Sequence, residues 1–200
     1  MRIIGLSGKI GTGKSFTTGL LLKRLGFGWK RRAFGDALKE AAANAFGFPI
    51  SWAYKSKDAI INVMGISPYG FTPPKPAMTI RELLQWYGTE VCRTTVPGIW
   101  DDAMRRWLNI AELEGFEGVI IDDVRFLTEE WLVRKRGGQL VRLEPYPGWT
   151  CDEKTAAHVS ETELDGYTGW SMQLTPAYGA LDAAAAYIID GLLTEEVTDG

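Results

Sequence analysis

The run Gly8-Lys9-Ile10-Gly11-Thr12-Gly13-Lys14-Ser15 constrains this chain more than any other feature. It is a complete G-x-x-x-x-G-K-S. The apolar stretch Ile3-Ile4-Gly5-Leu6 precedes it, and a segment with helical character follows from about Lys14 to Leu25. Strand, glycine-rich turn and helix in that order form a cradle for a polyphosphate. The glycines let the backbone curl so that successive N–H groups point inward. The helix start adds a partial positive charge. Lys14 is placed to reach β and γ phosphates, and Ser15 to offer a hydroxyl to Mg²⁺. The expected nucleotide-binding residues are Gly8, Lys9, Gly11, Thr12, Gly13, Lys14, Ser15 and Phe16. A glycine-rich turn with no ligand is the competing account, and the strand and helix in register argue against it.

A strand ending in such a turn needs partners. Short apolar runs near Ala33-Phe34, at Val119-Ile120-Ile121, at Leu140-Val141 with Leu143, and at Tyr187-Ile188-Ile189 read as four more strands. Helical stretches alternate with them. This pattern predicts a single α/β domain over residues 1–200, a P-loop three-layer sandwich with a mainly parallel five-stranded sheet and helices on both faces. Ligands in such sheets sit beyond the carboxyl ends of the strands. Asp36 reads as an N-cap, and its helix carries Leu38, Ala41, Ala42, Ala45 and Phe46 on one side. Residues 47–78 read as irregular, with Pro68, Pro73, Pro74 and Pro76 against a long helix. Thr79 and Glu82 form a capping box. Ile80, Leu83, Leu84, Tyr87 and Val91 then mark one buried helical face, with Arg81 and Gln85 on another. Further helices are expected from about Trp100 to Glu114 and from about Thr128 to Arg136. An insert over about 36–100 and a loop-rich, lid-like region over about 145–186 complete the layout.

Three groups beyond the turn point to chemistry. Val119-Ile120-Ile121 ends in Asp122-Asp123, where carboxylates could hold a phosphate-bound metal or its waters; the expected metal ligands are Ser15, Asp122 and Asp123. Asp123 and Arg125 share a side of extended chain, although a surface ion pair would look the same. Arg81 and Gln85, one turn apart, with Arg93, could grip a monophosphate and read a base edge; a solvated helix face is the alternative. Trp100 could stack on a base, yet its spacing with Ala103, Met104 and Trp107 favours the core. His158 is the only histidine. It has no nucleophile beside it, and phosphoryl transfer needs none.

The formal net charge of −3 gives no general attraction to nucleic acid. The local cluster Lys23, Arg24, Lys30, Arg31 and Arg32 reads as a solvated helix end rather than a DNA contact. Cys92 and Cys151 match no metal or redox spacing. No apolar stretch reaches membrane-spanning length. A soluble, intracellular protein is the expectation, with a homodimer left open.

In chain order, SGKIGTGKS, FGDALKEAAANAFG, TIRELLQWYGTEVCRTTVPGIWDDAMRRW, VIIDDVRFLTEEW, RKRGGQLVRL, HVSETELD and AYIIDGLLTEEV resemble the deoxynucleoside monophosphate kinases of tailed bacteriophages. The RELLQ-x-x-GTE-x-x-R segment followed by D-x-R-F-x-x-E is the specific part. The resemblance implies transfer of the ATP γ-phosphate to a deoxynucleoside monophosphate, with ATP and Mg²⁺ bound, in the cytoplasm of an infected cell. By likeness Asp36, Lys39, Arg81, Gln85, Arg93 and Trp100 would serve the acceptor. Asp123 and Arg125 would lie between the two nucleotides. Glu161, in an H-x-x-E stretch with His158, would belong to the lid region and the substrate site. Lys154 is the only Lys or Arg between Pro145 and Tyr187, so Lys9, Lys14 and Arg125 would carry most of the transferring charge. Three rivals share the first motif: a dephospho-coenzyme A kinase, a kinase acting on a modified base in phage DNA, and a nucleotide-binding switch with no acceptor.

Overall fold

The computed structural model describes residues 1–63, 72–151, 159–177 and 179–193. The elements begin with β1 (Arg2–Gly8), α1 (Lys14–Leu25), β2 (Trp29–Arg32), α2 (Phe34–Phe46) and α3 (Trp52–Lys55). Next come β3 (Ile60–Asn62), β4 (Ala77–Thr79), α4 (Ile80–Gln85), a π-helical segment (Trp86–Arg93) and α5 (Ile99–Leu113). The chain continues through β5 (Gly118–Ile121), α6 (Leu127–Lys135), β6 (Gln139–Leu143), α7 (Val159–Thr162), β7 (Met172–Leu174) and α8 (Leu181–Leu193). Two compact units result: Met1–Ala33 with Arg105–Gly200, and Phe34–Met104. No described helix is long and apolar enough to cross a membrane.

The first unit holds a five-stranded sheet in the order β2-β5-β1-β6-β7. Every neighbouring pair is parallel. The inner strands β5, β1 and β6 are largely apolar because both faces are covered: Ile4, Leu6, Ile120, Ile121, Leu140 and Leu143 are almost wholly buried. On one face, Leu21 of α1 with Ala185 and Ile188 of α8 joins Ile4, Leu6, Ile120, Val141 and Leu143 in one cluster. Gly5 faces the other way, where a side chain would meet Val133 of α6 at 3.3 Å. Parallel register brings the carboxyl ends together: Gly8 pairs with Leu143, and Gly5 with Ile121. The glycine-rich turn, Asp122-Asp123 and Glu144 therefore leave the sheet at one edge. α1 stops at Gly26, whose φ is 86°, with Lys23 and Arg24 suited to its negative end.

The Tyr187-Ile188-Ile189 run is a correction. It lies within α8, and the fifth strand is β7. The preceding Ala183 to Ala186 are strong helix formers. Burial of Ala184, Ala185 and Ile188 follows the helical period. A short apolar run alone does not separate the two states.

The second unit has its own core of Ala42, Phe48, Ala53, Met78, Ile80, Leu83 and Trp86. The segment read as irregular contains α3 and an antiparallel β3–β4 pair; residues 64–71, including Pro68, lie outside the described set. Asp36 does not cap α2. The helix starts two residues earlier, at Phe34, which places Asp36 in its first turn. Thr79 and Glu82 do form the capping box. After Gln85 the helix widens into the π-helical segment, which adds a residue to the turn. Trp86 joins the buried cluster here, and Leu84, Tyr87 and Val91 pack against it half-buried, on the face that the helical period predicts.

Candidate functional site

The glycine-rich turn follows the central strand β1 and opens α1. Gly8 has φ 150°, and a β-carbon there would lie 2.4 Å from the Leu143 carbonyl oxygen. Gly13, at φ 89°, would place one 2.4 Å from Leu181 of α8. Both positions need glycine for the loop to close. α1 carries no acidic residue in its first turn and no side-chain cap on its starting amides. Ser15 is exposed there, as is Phe16.

Lys14 curls back over the loop, its Nζ donating to the carbonyls of Gly8 at 2.6 Å and Lys9 at 2.7 Å. Burial lowers its pKa to about 8. Arg125 pushes the same way, while Glu161 and Asp123 oppose. The field around this ammonium is thus set by residues that are far apart in sequence.

Glu161, on the four-residue α7, is buried. Its Oε1 accepts from Arg125 Nη1 at 2.6 Å, and its Oε2 accepts from the Ile10 N–H at 2.8 Å. Its carbonyl accepts from Lys9 Nζ. Arg125 is held at its own backbone, because buried Glu129 accepts the Arg125 N–H at 2.8 Å. A small polar cavity opens between Gly8, Arg125, Arg142, Ser160 and Glu161.

Asp122 turns its carboxylate toward Arg31, which bonds it through Nε at 3.0 and 3.1 Å and Nη2 at 2.8 Å. Asp123 acts on Lys14 through its charge. Among the described residues, no group of three or more His, Cys, Asp or Glu could cage a metal ion unaided. A hard divalent ion at Ser15 and the two aspartates would complete its shell with phosphate oxygens and water, as Mg²⁺ does. The donor set of two lysines, an arginine and an uncapped helix start fits a magnesium polyphosphate.

The remaining candidates lie in the second unit. Asp36 is buried and accepts from Tyr54 Oη at 2.9 Å and Lys39 Nζ at 3.1 Å. Lys39 also lies over the Tyr54 ring, 4.4 Å from its centre. Arg81 and Gln85 are exposed on one side of α4, and Arg81 reaches Asp58 at 3.4 Å. Arg93 ends the π-helical segment and is half-buried. Trp100 is buried, with its indole N–H on the Gly88 carbonyl at 3.1 Å, the core position its spacing favours. His158 lies outside the described residues.

Sequence reading missed four residues near these groups. Arg142 is 5% exposed within β6. Asp165 takes Lys9, Trp149 donates to the Ile10 carbonyl at 2.9 Å, and Tyr54 holds Asp36. Only Arg142 left a signal: a cation inside the run Leu140 to Leu143 demands a buried partner. The basic cluster is dispersed into local contacts, Arg24 with Asp182, Lys30 over Phe116, Arg31 with Asp122 and Arg32 over Trp107. Cys92 and Cys151 are unlinked.

A parallel five-stranded sheet flanked by helices, with the glycine-rich turn after its central strand, is the α/β architecture of P-loop proteins. No protein-family model matches the chain. A protein of Acanthamoeba polyphaga mimivirus, named "Putative deoxynucleotide monophosphate kinase", is 29% identical over 183 residues, covering 87% of this chain and 88% of that protein. This likeness supports a nucleotide-kinase relationship and does not single out tailed phages.

Proposed function

We propose that this protein transfers the γ-phosphate of ATP to a deoxynucleoside 5′-monophosphate, giving the diphosphate and ADP, in viral nucleotide metabolism within the cytoplasm of an infected cell. One observation carries most of the reading: a half-buried lysine on the glycine-rich turn, bonded to the Gly8 and Lys9 carbonyls, shares its surroundings with Arg125, Asp123 and Glu161 at the carboxyl edge of a parallel sheet. The name of the mimivirus relative supports the same class of reaction.

In this reading the loop amides and Lys14 bind the triphosphate, and Lys9 and Arg125 offset charge that develops on the moving phosphoryl group. Ser15, Asp122 and Asp123 would hold Mg²⁺, which supplies charge neutralisation when bound. An oxygen of the acceptor phosphate bonds to the γ-phosphorus as the bond to the β-bridging oxygen breaks. The electron pair leaves with ADP, and no proton need move. No general base is required. Glu161 orients Arg125. Arg81, Gln85, Arg93, Asp36 and Lys39 form the acceptor set, and Trp100 supports them from the core.

Incubation with Mg-ATP and each deoxynucleoside monophosphate in turn, with duplex DNA as a further arm, tests the proposal. The expected result is a deoxynucleoside diphosphate from at least one monophosphate. Slow hydrolysis indifferent to every monophosphate would point to a nucleotide switch, and label transferred to DNA would point to a base-modifying kinase.

A further inference from the structure

Lys9 is the second residue of the glycine-rich turn, and its side chain is fixed by groups far along the chain. Its Nζ lies 2.6 Å from each carboxylate oxygen of Asp165. Asp165 Oδ1 also accepts from Arg142 Nη2 at 3.2 Å. Arg142 has little room to move. Its Nη1 donates to Ser7 Oγ at 3.1 Å, its Nε to Glu144 at 3.3 Å, and its guanidinium lies over the Trp170 ring, 5.5 Å from the centre. The bonds leave the turn at Lys9 and return to the same strand at Ser7, one residue before Gly8.

We propose that Asp165 is a positioning residue that sets Lys9 at the phosphate cradle, with Arg142 as its buried anchor. The inference rests on the reading that Lys9 meets the triphosphate. A free lysine side chain samples many rotamers and must give up that freedom when it binds an anion. Asp165 and the Glu161 carbonyl remove much of that freedom beforehand. An exposed ion pair contributes little by itself, and Asp165 is 46% exposed. Here the carboxylate is tied to an arginine side chain that is only 7% exposed, so its position is inherited from the sheet. Arg142 keeps Ser7 and Glu144 when Asp165 is changed, which leaves the fold intact.

The test is a double-mutant cycle on the full chain, read as the calorimetric Kd for Mg-ATP in wild type, Asp165→Asn, Lys9→Met and the double variant. Asn is isosteric and the site is half-open, so Asp165→Asn folds; its Tm is measured alongside. The expected result is Mg-ATP binding about fivefold weaker in Asp165→Asn and less than about twofold weaker when the same change is made in Lys9→Met, the non-additivity of a contacting pair. An equal effect in both backgrounds overturns the proposal, because that pattern belongs to a purely structural ion pair. So does an unchanged Mg-ATP Kd for Asp165→Asn alone, or an unchanged Kd for Lys9→Met alone. A wild-type protein that binds Mg-ATP and phosphorylates no monophosphate would sink the acceptor reading and leave this cycle standing. No binding of Mg-ATP would sink both.

Discussion

At the scale of single residues, Lys14 sits at a conflict. Burial and Arg125 disfavour its charge, and Glu161 and Asp123 defend it, leaving a pKa of about 8 against an ordinary 10.5. In the proposed reaction, replacing Lys14 by Ala removes a preorganised cation from the transferring phosphate. Phosphotransfer is expected to fall by a factor on the order of 10² or more, read by coupled ADP release; rates near wild type would remove Lys14 from the reaction. The pKa gives a second prediction. The folded state binds fewer protons than the unfolded chain between about pH 8 and 10.5, so the cost of burying the ammonium is largest below pH 8 and fades above it. A bound polyphosphate restores the charge. Binding of ATP near pH 9 should therefore take up protons, and calorimetry in buffers of different ionisation enthalpy measures that uptake. Equal heats in all buffers would mean that Lys14 does not face the phosphates. Arg81, exposed on α4, carries the acceptor prediction: Arg81→Ala should raise the KM for the monophosphate far more than that for ATP. An unchanged acceptor KM would take Arg81 out of the site.

At the scale of elements, the capping box of α4 was legible because Thr79 and Glu82 answer each other across three residues. Thr79 Oγ1 accepts the Glu82 N–H at 3.2 Å, and Glu82 Oε2 accepts the Thr79 N–H at 2.9 Å. Thr79→Ala is expected to cost about 1 kcal/mol, read by urea unfolding at pH 7. Lys75, and then the Thr79 amide, hold the Glu82 pKa at about 2 against 4.5. Their contribution is present above about pH 4.5 and is lost as pH falls through 2, so the penalty of Glu82→Gln should shrink as pH approaches 2. A constant penalty would show that the reciprocal bond adds nothing. The turn that follows was not legible. No propensity marks the widening at Trp86, where Gly88 lies so close to Leu38 that a β-carbon would come within 2.5 Å of it. Burial, rather than local preference, selects that geometry.

At the scale of the whole molecule, the first unit depends on helices that return to the sheet from opposite ends of the chain. Ile188 of α8 is fully buried with Leu21 of α1 and Ile4, Ile120 and Val141 of the strands. Ile188→Ala is expected to cost about 2–5 kcal/mol. Tyr187→Ala, one residue away at 60% exposure, should cost less than about 0.5 kcal/mol. Chemical denaturation of both variants checks the pair; similar losses would contradict the placement of this segment as a helix with Ile188 inward.

The sequence alone determined the parts whose physics is local. A glycine-rich turn between a strand and a helix specifies its own curl, so Gly8 to Ser15 announced the turn that joins β1 to α1. Continuous apolar runs at Ile3 and Val119 announced a parallel sheet with both faces covered. Tertiary structure decided everything that needed a distant partner. Whether Tyr187-Ile188-Ile189 pairs as a strand or winds as a helix turned on the cluster around Leu21. Which acid faces Lys9, and that Arg142 lies buried between Ser7 and Asp165, depended on bringing residues 7–9, 142 and 161–165 to one edge of the sheet. A charge shows in sequence only its sign, and what it does depends on the neighbours that folding supplies.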